Sequence, residues 1–160
     1  MLLAFDSGLI ETKQTDVEMI NFARSHYSRK NKKSKSLFGP SRTLTLRNAE
    51  GTILFGWTWP KDGMRRDGQN GYCCAIFRNE SERQSSEIIL EAEGMAEAKW
   101  GKNRMFTYID ASKVKSSNPG YCFKMAGWKF AGISKSGKHL LVKYDQQEVY
   151  EFGQKGIPSP

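Results

Sequence analysis

Tyr27, Arg78 and Asp110 are the side chains of this sequence whose types and settings suit a reaction at an amine. Tyr27 stands between an apolar-periodic stretch and a basic one, so its hydroxyl could orient or deprotonate an amine. An unperturbed phenol, with a pKa of about 10, is a poor base. Arg78 follows an apolar run and precedes a helical pattern, where a guanidinium can fork onto a phosphate or a carboxylate. Asp110 is the lone acid in a long basic run and ends a strand-like stretch, a place from which it could take a proton or bind a cation. Each has a plain structural alternative. Tyr27 could pack a helix end, Arg78 could pair with Glu80 or Glu82, and Asp110 could cap a turn or meet a lysine. His26 is a further base candidate. Cys122 falls on the core side of a helical stretch with no histidine placed beside it. Cys73 and Cys74 are adjacent, which fits neither a disulfide framework nor a zinc knuckle, so no metal site is expected and a reducing, cytoplasmic compartment is.

Charge points to a polyanionic partner. The chain carries 25 basic and 17 acidic residues, a formal charge of +8. Arg24 to Arg47 holds eight bases and no acid, and Lys102 to Lys143 holds nine bases and one acid. Such segregation builds a one-signed field rather than a mixed solvated surface. In the stretch Ser28 to Ser36 small polar residues separate Arg29, Lys30, Lys32, Lys33 and Lys35, as in a loop that settles on phosphates. Lys113 and Lys115 add a second basic spot beside Asp110. DNA is the expected partner.

Positioning these groups requires a folded frame. With 160 residues, 38% of them hydrophobic, the chain can bury one core. One domain over 1–152 with a loose tail over 153–160 is expected. The apolar runs are too short to span a bilayer, and the first residues lack the basic stretch of a secretory leader. A helix is predicted over Thr15–Tyr27 with Asp16 as cap, then strands over Ser41–Asn48, Thr52–Trp59 and Gly71–Phe77. A long helix, capped by Ser85 or Ser86, runs to Trp100 and stops at Gly101. A strand over Arg104–Ile109, a short helix over Pro119–Ala126 and a hairpin of Trp128–Ile133 with His139–Tyr144 complete the order.

That order resembles the GNAT acyltransferase fold. The C-terminal stretch Asn118-Pro119-Gly120-Tyr121 to Gly127-Trp128 is similar to the family's Asn…Phe-Tyr…Gly-Phe segment. There a helix packs beside the thioester arm of coenzyme A. Phe77-Arg78-Asn79-Glu80-Ser81, followed by the helix from Ser86, is similar to the family's pyrophosphate-holding strand, loop and helix. Ser81 and Arg83 stand where that loop carries glycines. The resemblance implies a single-domain α/β, GNAT-like fold: a mixed, mostly antiparallel twisted sheet with a central crossover helix. It implies acetyl-CoA or a related CoA thioester as donor, held by Asn79, Arg83, Gln84, Ser85, Ser86, Asn118 and Tyr121.

Four further features resemble the phage-type, Mom-like branch of that superfamily: His26-Tyr27-Ser28, the strand end Phe77-Arg78-Asn79, the polar Arg83 to Ser86, and Tyr108-Ile109-Asp110 leading into Lys113–Trp128. The expectation is an enzyme that transfers an acyl-derived, carbamoylmethyl-type group to adenine N6 in DNA and protects phage DNA from restriction. Tyr27, Arg78 and Asp110 would line the meeting point of amine and donor, at the splay between the central strands. The adenine would have to be extruded or single-stranded, because pairing hides its amine. Two alternatives stand beside this: an acetyl-CoA-dependent N-acetyltransferase acting on a protein or small amine, and an inactive GNAT-fold binder of nucleic acid or a host factor.

Overall fold

The computed structural model describes residues 8–24, 34–61, 65, 67–113 and 117–145. In chain order the elements are β1 (Ile10–Thr12), α1 (Val17–Ala23), β2 (Arg42–Arg47), β3 (Ile53–Trp59), β4 (Tyr72–Asn79), α2 (Ser85–Trp100), β5 (Met105–Ile109), α3 (Tyr121–Met125), β6 (Lys129–Ile133) and β7 (His139–Lys143). The chain is α/β, its strands forming one open sheet in the order β1-β2-β3-β4-β5-β7-β6. Every neighbouring pair is antiparallel except β4 and β5, which are parallel and joined across α2. Among the described residues no helix is long and apolar enough to cross a membrane.

Local chemistry accounts for most of these elements. Asp16 caps α1 by accepting the Met19 amide at 3.1 Å, and Arg47 of β2 grips the same carboxylate at 3.1 Å. The helix is shorter than its apolar spacing suggests, because the Arg24 amide turns to the Asn21 carbonyl (3.2 Å) and closes it at Ala23. Asn48 shapes the β2–β3 turn, its Oδ1 accepting the amides of Thr52 and Ile53, each at 2.9 Å. Helix α2 begins at Ser85 with Gln84 as the cap residue; the Ser85 hydroxyl accepts from Asn79 Nδ2 (3.0 Å) instead of capping. Gly101, at φ +93°, ends it by donating to the Glu97 carbonyl. β4 runs two residues past its apolar core, to Asn79, and α3 starts at Tyr121 rather than at Pro119. The three-residue β1, paired with β2 through Ile10↔Arg47, has no counterpart in the sequence reading.

The main core lies between the sheet and α2, where Phe55, Trp57, Tyr72 and Met105 meet Ile88, Ile89 and Ala92. A smaller cluster on the opposite face joins Met19 and Ala23 of α1 to Leu54 and Ile76. Beyond it on the sheet, Cys73, Phe106 and Val142 pack with Tyr108 and Leu140. Burial raises all three thiols, Cys73 to about 11, so none is a thiolate at neutral pH.

Gly120 precedes α3 at φ +76°, and a Cβ there would run into Leu141 and come within 3.3 Å of Ile109 Cγ1. Gly120→Ala is therefore expected to destabilise the protein by about 2 kcal/mol or more, combining left-handed strain with overpacking. Urea denaturation of the variant against the parent checks this.

Candidate functional site

The sheet opens where its two parallel strands should continue side by side. β4 and β5 pair only at their beginnings, Tyr72↔Met105 and Cys73↔Phe106. Gly71, at φ +96°, lets β4 start directly against the Arg104 carbonyl, which accepts the Tyr72 amide at 2.8 Å. One residue further on, Thr107 Oγ1 still reaches the Cys74 carbonyl (2.8 Å). Past that point the register shows no pairing, although β4 continues to Asn79 and β5 to Ile109. The opening begins at a bulge. The β3–β4 register steps from Trp57↔Cys74 to Gly56↔Ile76, leaving Ala75 as the extra residue that bends β4 away. A crevice at the carboxyl ends of parallel strands is where open α/β sheets take their ligands.

One wall of the opening is the link from β4 to α2, organised by Asn79. Its Nδ2 donates to the Arg83 carbonyl (2.9 Å) and to Ser85 Oγ; its Oδ1 accepts the Ser81 amide (2.9 Å) and Ser81 hydroxyl (2.6 Å). Ser81 Oγ in turn accepts the Arg83 amide at 3.1 Å. The amides that a glycine loop would present to a ligand are thus occupied at Ser81 and Arg83. The Arg83 guanidinium is engaged with Glu91 at 2.8 Å. Helix α2 has no side-chain cap bond at Gln84, so the Gln84 side chain leaves the first-turn amides of Ser85 and Ser86 uncapped. Asn79→Ala removes four bonds from this link at once and is expected to cost about 1–3 kcal/mol. Faster amide exchange confined to the first turn of α2 would accompany it.

The other wall follows β5. Asp110 Oδ1 accepts the Ser112 hydroxyl (2.6 Å) and amide (3.1 Å), and the Lys113 amide bonds back to its carbonyl. The Ser112 hydroxyl, then the Ser112 amide and the charges of Lys113 and Lys138, hold this carboxyl below its ordinary range. It is ionised at neutral pH. Gly120, lodged against Ile109 and Leu141, brings Asn118 and Tyr121 to the same end of β5. Asn118 Oδ1 accepts from Lys124 Nζ (2.7 Å), and the Tyr121 ring is 55% exposed. Helix α3 spans the gap between the walls, for its Phe123 meets Phe77 of β4 edge to face at 6.0 Å and Trp128 at 4.9 Å.

Arg78 goes elsewhere. It sits opposite Leu54, on the α1 face, where its Nη1 donates to the Phe22 carbonyl (2.7 Å) and its guanidinium lies 4.7 Å from the Phe22 ring centre. Its Nε is 3.7 Å from Glu80. The structure thus brings Asn79, Arg83, Gln84, Ser85 and Ser86 together, and Asp110 with Asn118 and Tyr121, but turns the Arg78 side chain to the opposite face from α2. Lys35 is exposed near Leu37, which packs on the α1 side, and Lys113 is exposed after β5. Tyr27, His26, Arg29, Lys30, Lys32, Lys33 and Lys115 lie outside the described residues.

Sequence reasoning missed two groups. Glu93, 3% exposed, accepts Trp128 Nε1 at 2.8 Å and pairs with Lys143 Nζ at 2.7 Å. Lys143 also donates to the Ala126 carbonyl at the end of α3 (2.7 Å). This buried set ties α2, α3 and β7 together beneath the opening. Its signal was present: Glu93 stands four residues after Ile89 and beside Ala92, on the apolar stripe itself. The second group surrounds Tyr108, whose hydroxyl donates to Asp67 Oδ2 at 3.1 Å. Arg65 pairs with the same carboxylate at 3.3 Å and donates to Cys73 Sγ at 3.0 Å. Burial, and then Asp67, keep the Tyr108 phenol above its ordinary value, so it is a donor.

Compared with protein-family models, with curated proteins and with solved structures, the chain gives no significant match.

Proposed function

We propose that the chain is a GNAT-like transferase of the Mom-like kind, placing an acyl-derived, carbamoylmethyl-type group on adenine N6 in DNA. The observation that carries this reading is the opening between β4 and β5, with the start of α2, uncapped by Gln84, on one wall and ionised Asp110 on the other. A CoA thioester would lay its phosphates at the start of α2, where helix amides favour anions. Its thioester arm would pass Asn118 and Tyr121. As the amine nitrogen attacks the thioester carbonyl, its C–S bond would break, the acyl group passing to nitrogen and CoA leaving as its thiolate. Asp110 would accept the proton that the amine loses, and much of the rate would come from holding amine and donor in register. Lys113, Lys138 and the basic stretch of 29–35 would hold the phosphate backbone. Arg78 serves this reading as a positioning residue, fastening the end of α1 from which the chain leads to Tyr27.

A second reading, an inactive fold that binds nucleic acid, is favoured by the bonds that occupy the Ser81 and Arg83 amides. Nucleoside mass spectrometry on DNA from cells expressing the protein separates the two. A heavier adenine nucleoside is expected, and its mass gives the composition of the added group. Unmodified DNA from folded protein that binds no CoA would favour the inactive binder.

A further inference from the structure

A concavity of about 680 Å³ lies on the α1 side of the sheet, against β5, β7 and the β6–β7 turn. Tyr108 and Leu140, paired across β5 and β7, form its floor, and Lys135 and Lys138 of the turn stand at one end. Gln69 lines it as well. The geometry points to the chain's own segment 146–152 as the occupant. Its apolar residues cover Tyr108 and Leu140, and Glu148 and Glu151 meet Lys135 and Lys138.

Three observations carry the assignment. The first is where the segment begins. Tyr144, at φ +55°, turns the backbone out of β7, and the Asp145 carboxylate is held 3.4 Å from Arg104 Nε. Arg104 also donates to Gln69 Oε1 at 2.8 Å, and its guanidinium lies 5.4 Å from the ring centre of Phe106, on the α1 side. Residue 146 therefore follows directly on the rim of the concavity. The second is reach. β7 has five residues, a length of about 17 Å, and seven extended residues span about 23 Å, enough to pass from Asp145 to the β6–β7 turn. The third is chemistry. Gln146 to Phe152 holds two acids, no base and the apolar side chains of Val149, Tyr150 and Phe152. Tyr108 and Leu140 are only half-buried, and Lys135 and Lys138 make no ion pair among the described residues. Acids and apolar groups of the segment thus match cations and apolar floor of the concavity.

Seated there, the segment competes with nucleic acid, because Lys138 is one of the cations assigned to the phosphate backbone. That consequence rests on the DNA-modification reading; the seating itself does not. Chymotrypsin cleavage after Tyr150 and Phe152 in the full chain, followed by mass spectrometry of the released peptide, tests both. The parent is expected to be cut there about tenfold more slowly than Glu148→Lys with Glu151→Lys, which breaks two surface ion pairs. Lys135→Glu with Lys138→Glu should speed cleavage equally, and combining all four reversals should restore the protection. Duplex DNA added to the parent should raise its cleavage rate toward that of the variants, and added salt should do the same. A parent cut as fast as the variants, or four reversals that leave the segment as open as two, would overturn the seating. Modified DNA made by a protein whose segment is cut at the variants' rate would sink the seating alone. Protection that the four reversals restore but DNA does not disturb would uphold the seating and count against the DNA reading.

Discussion

Lys143→Met is expected to destabilise the fold by about 3–5 kcal/mol at pH 8, the largest single effect among the described residues. Glu93 lies in the middle of α2, 3% exposed, and the ammonium of Lys143 at 2.7 Å is the only cation paired with it among the described residues. Methionine fills the space of the lysine stem but leaves a buried carboxylate facing apolar neighbours, and the Ala126 carbonyl loses its donor as well. Burial already pushes the Glu93 carboxyl above its ordinary range, with Lys143 and the Trp128 indole opposing that rise. Removing Lys143 therefore raises it further. The sign of the pH dependence follows. Folded Glu93 then holds a proton that the unfolded chain releases, so stability falls as pH rises through the folded pKa. The deficit relative to the parent should narrow on acidification from pH 8 to pH 5. Adding Glu93→Gln to Lys143→Met should recover much of the loss, since the amide still accepts from Trp128 and carries no charge. Urea denaturation of the parent and both variants at the two pH values measures all of this. A deficit independent of pH would mean that Glu93 is not the group left unpaired.

On the proposed reaction, Asp110→Asn is expected to lower the yield of modified adenine by about 10²–10⁴-fold, the range for loss of a general base. Asparagine keeps an oxygen for the Ser112 hydroxyl and amide, so the turn after β5 should survive. An unchanged melting temperature would show that it does. Because Ser112 holds the Asp110 carboxyl below its ordinary value, with Lys113 and Lys138 assisting, the group is charged across the neutral range. The modification rate should therefore show no acid limb from Asp110 above about pH 4. An Asp110→Asn protein that modifies DNA as fast as the parent would reduce Asp110 to a turn residue.

The hairpin of β2 and β3, the long helix α2 and the closing hairpin were legible because each writes its period locally. Alternation in Thr43 to Arg47, helical spacing from Ile89 to Trp100, and glycines at the ends of helices are all short-range signals. β1 was not legible, since three residues on a sheet edge are too few to establish a period and two of them are exposed. The Asn79 link was readable as a candidate site, but its hydrogen bonding depends on how Ser81, Arg83 and Ser85 share its two side-chain atoms. The placement of the Arg78 side chain on the α1 face has a related reason. Strand alternation, Phe77 inward and Arg78 to the other face, already opposes Arg78 to the start of α2. The Asp67–Tyr108 concavity draws on three segments that meet only when β7 enters between β5 and β6, an arrangement with no trace in the spacing of residues.

The position of β7 also bears on how the chain is made. It follows β6 in sequence yet separates β6 from β5, so translation delivers the outer strand before the one that will join it to the sheet. Until His139–Lys143 has been synthesised, the outer edge of β5 has no cover, Glu93 has no Lys143, and Phe106 lacks Val142. The N-terminal half can zip by neighbouring hairpins as it emerges, whereas the C-terminal half waits for its last strand. A nascent chain stalled before residue 139 would thus present β5 as an open edge to other chains. Ribosome-bound intermediates halted before and after that point should differ sharply in protease resistance of β5, while β2 to β4 resist alike in both.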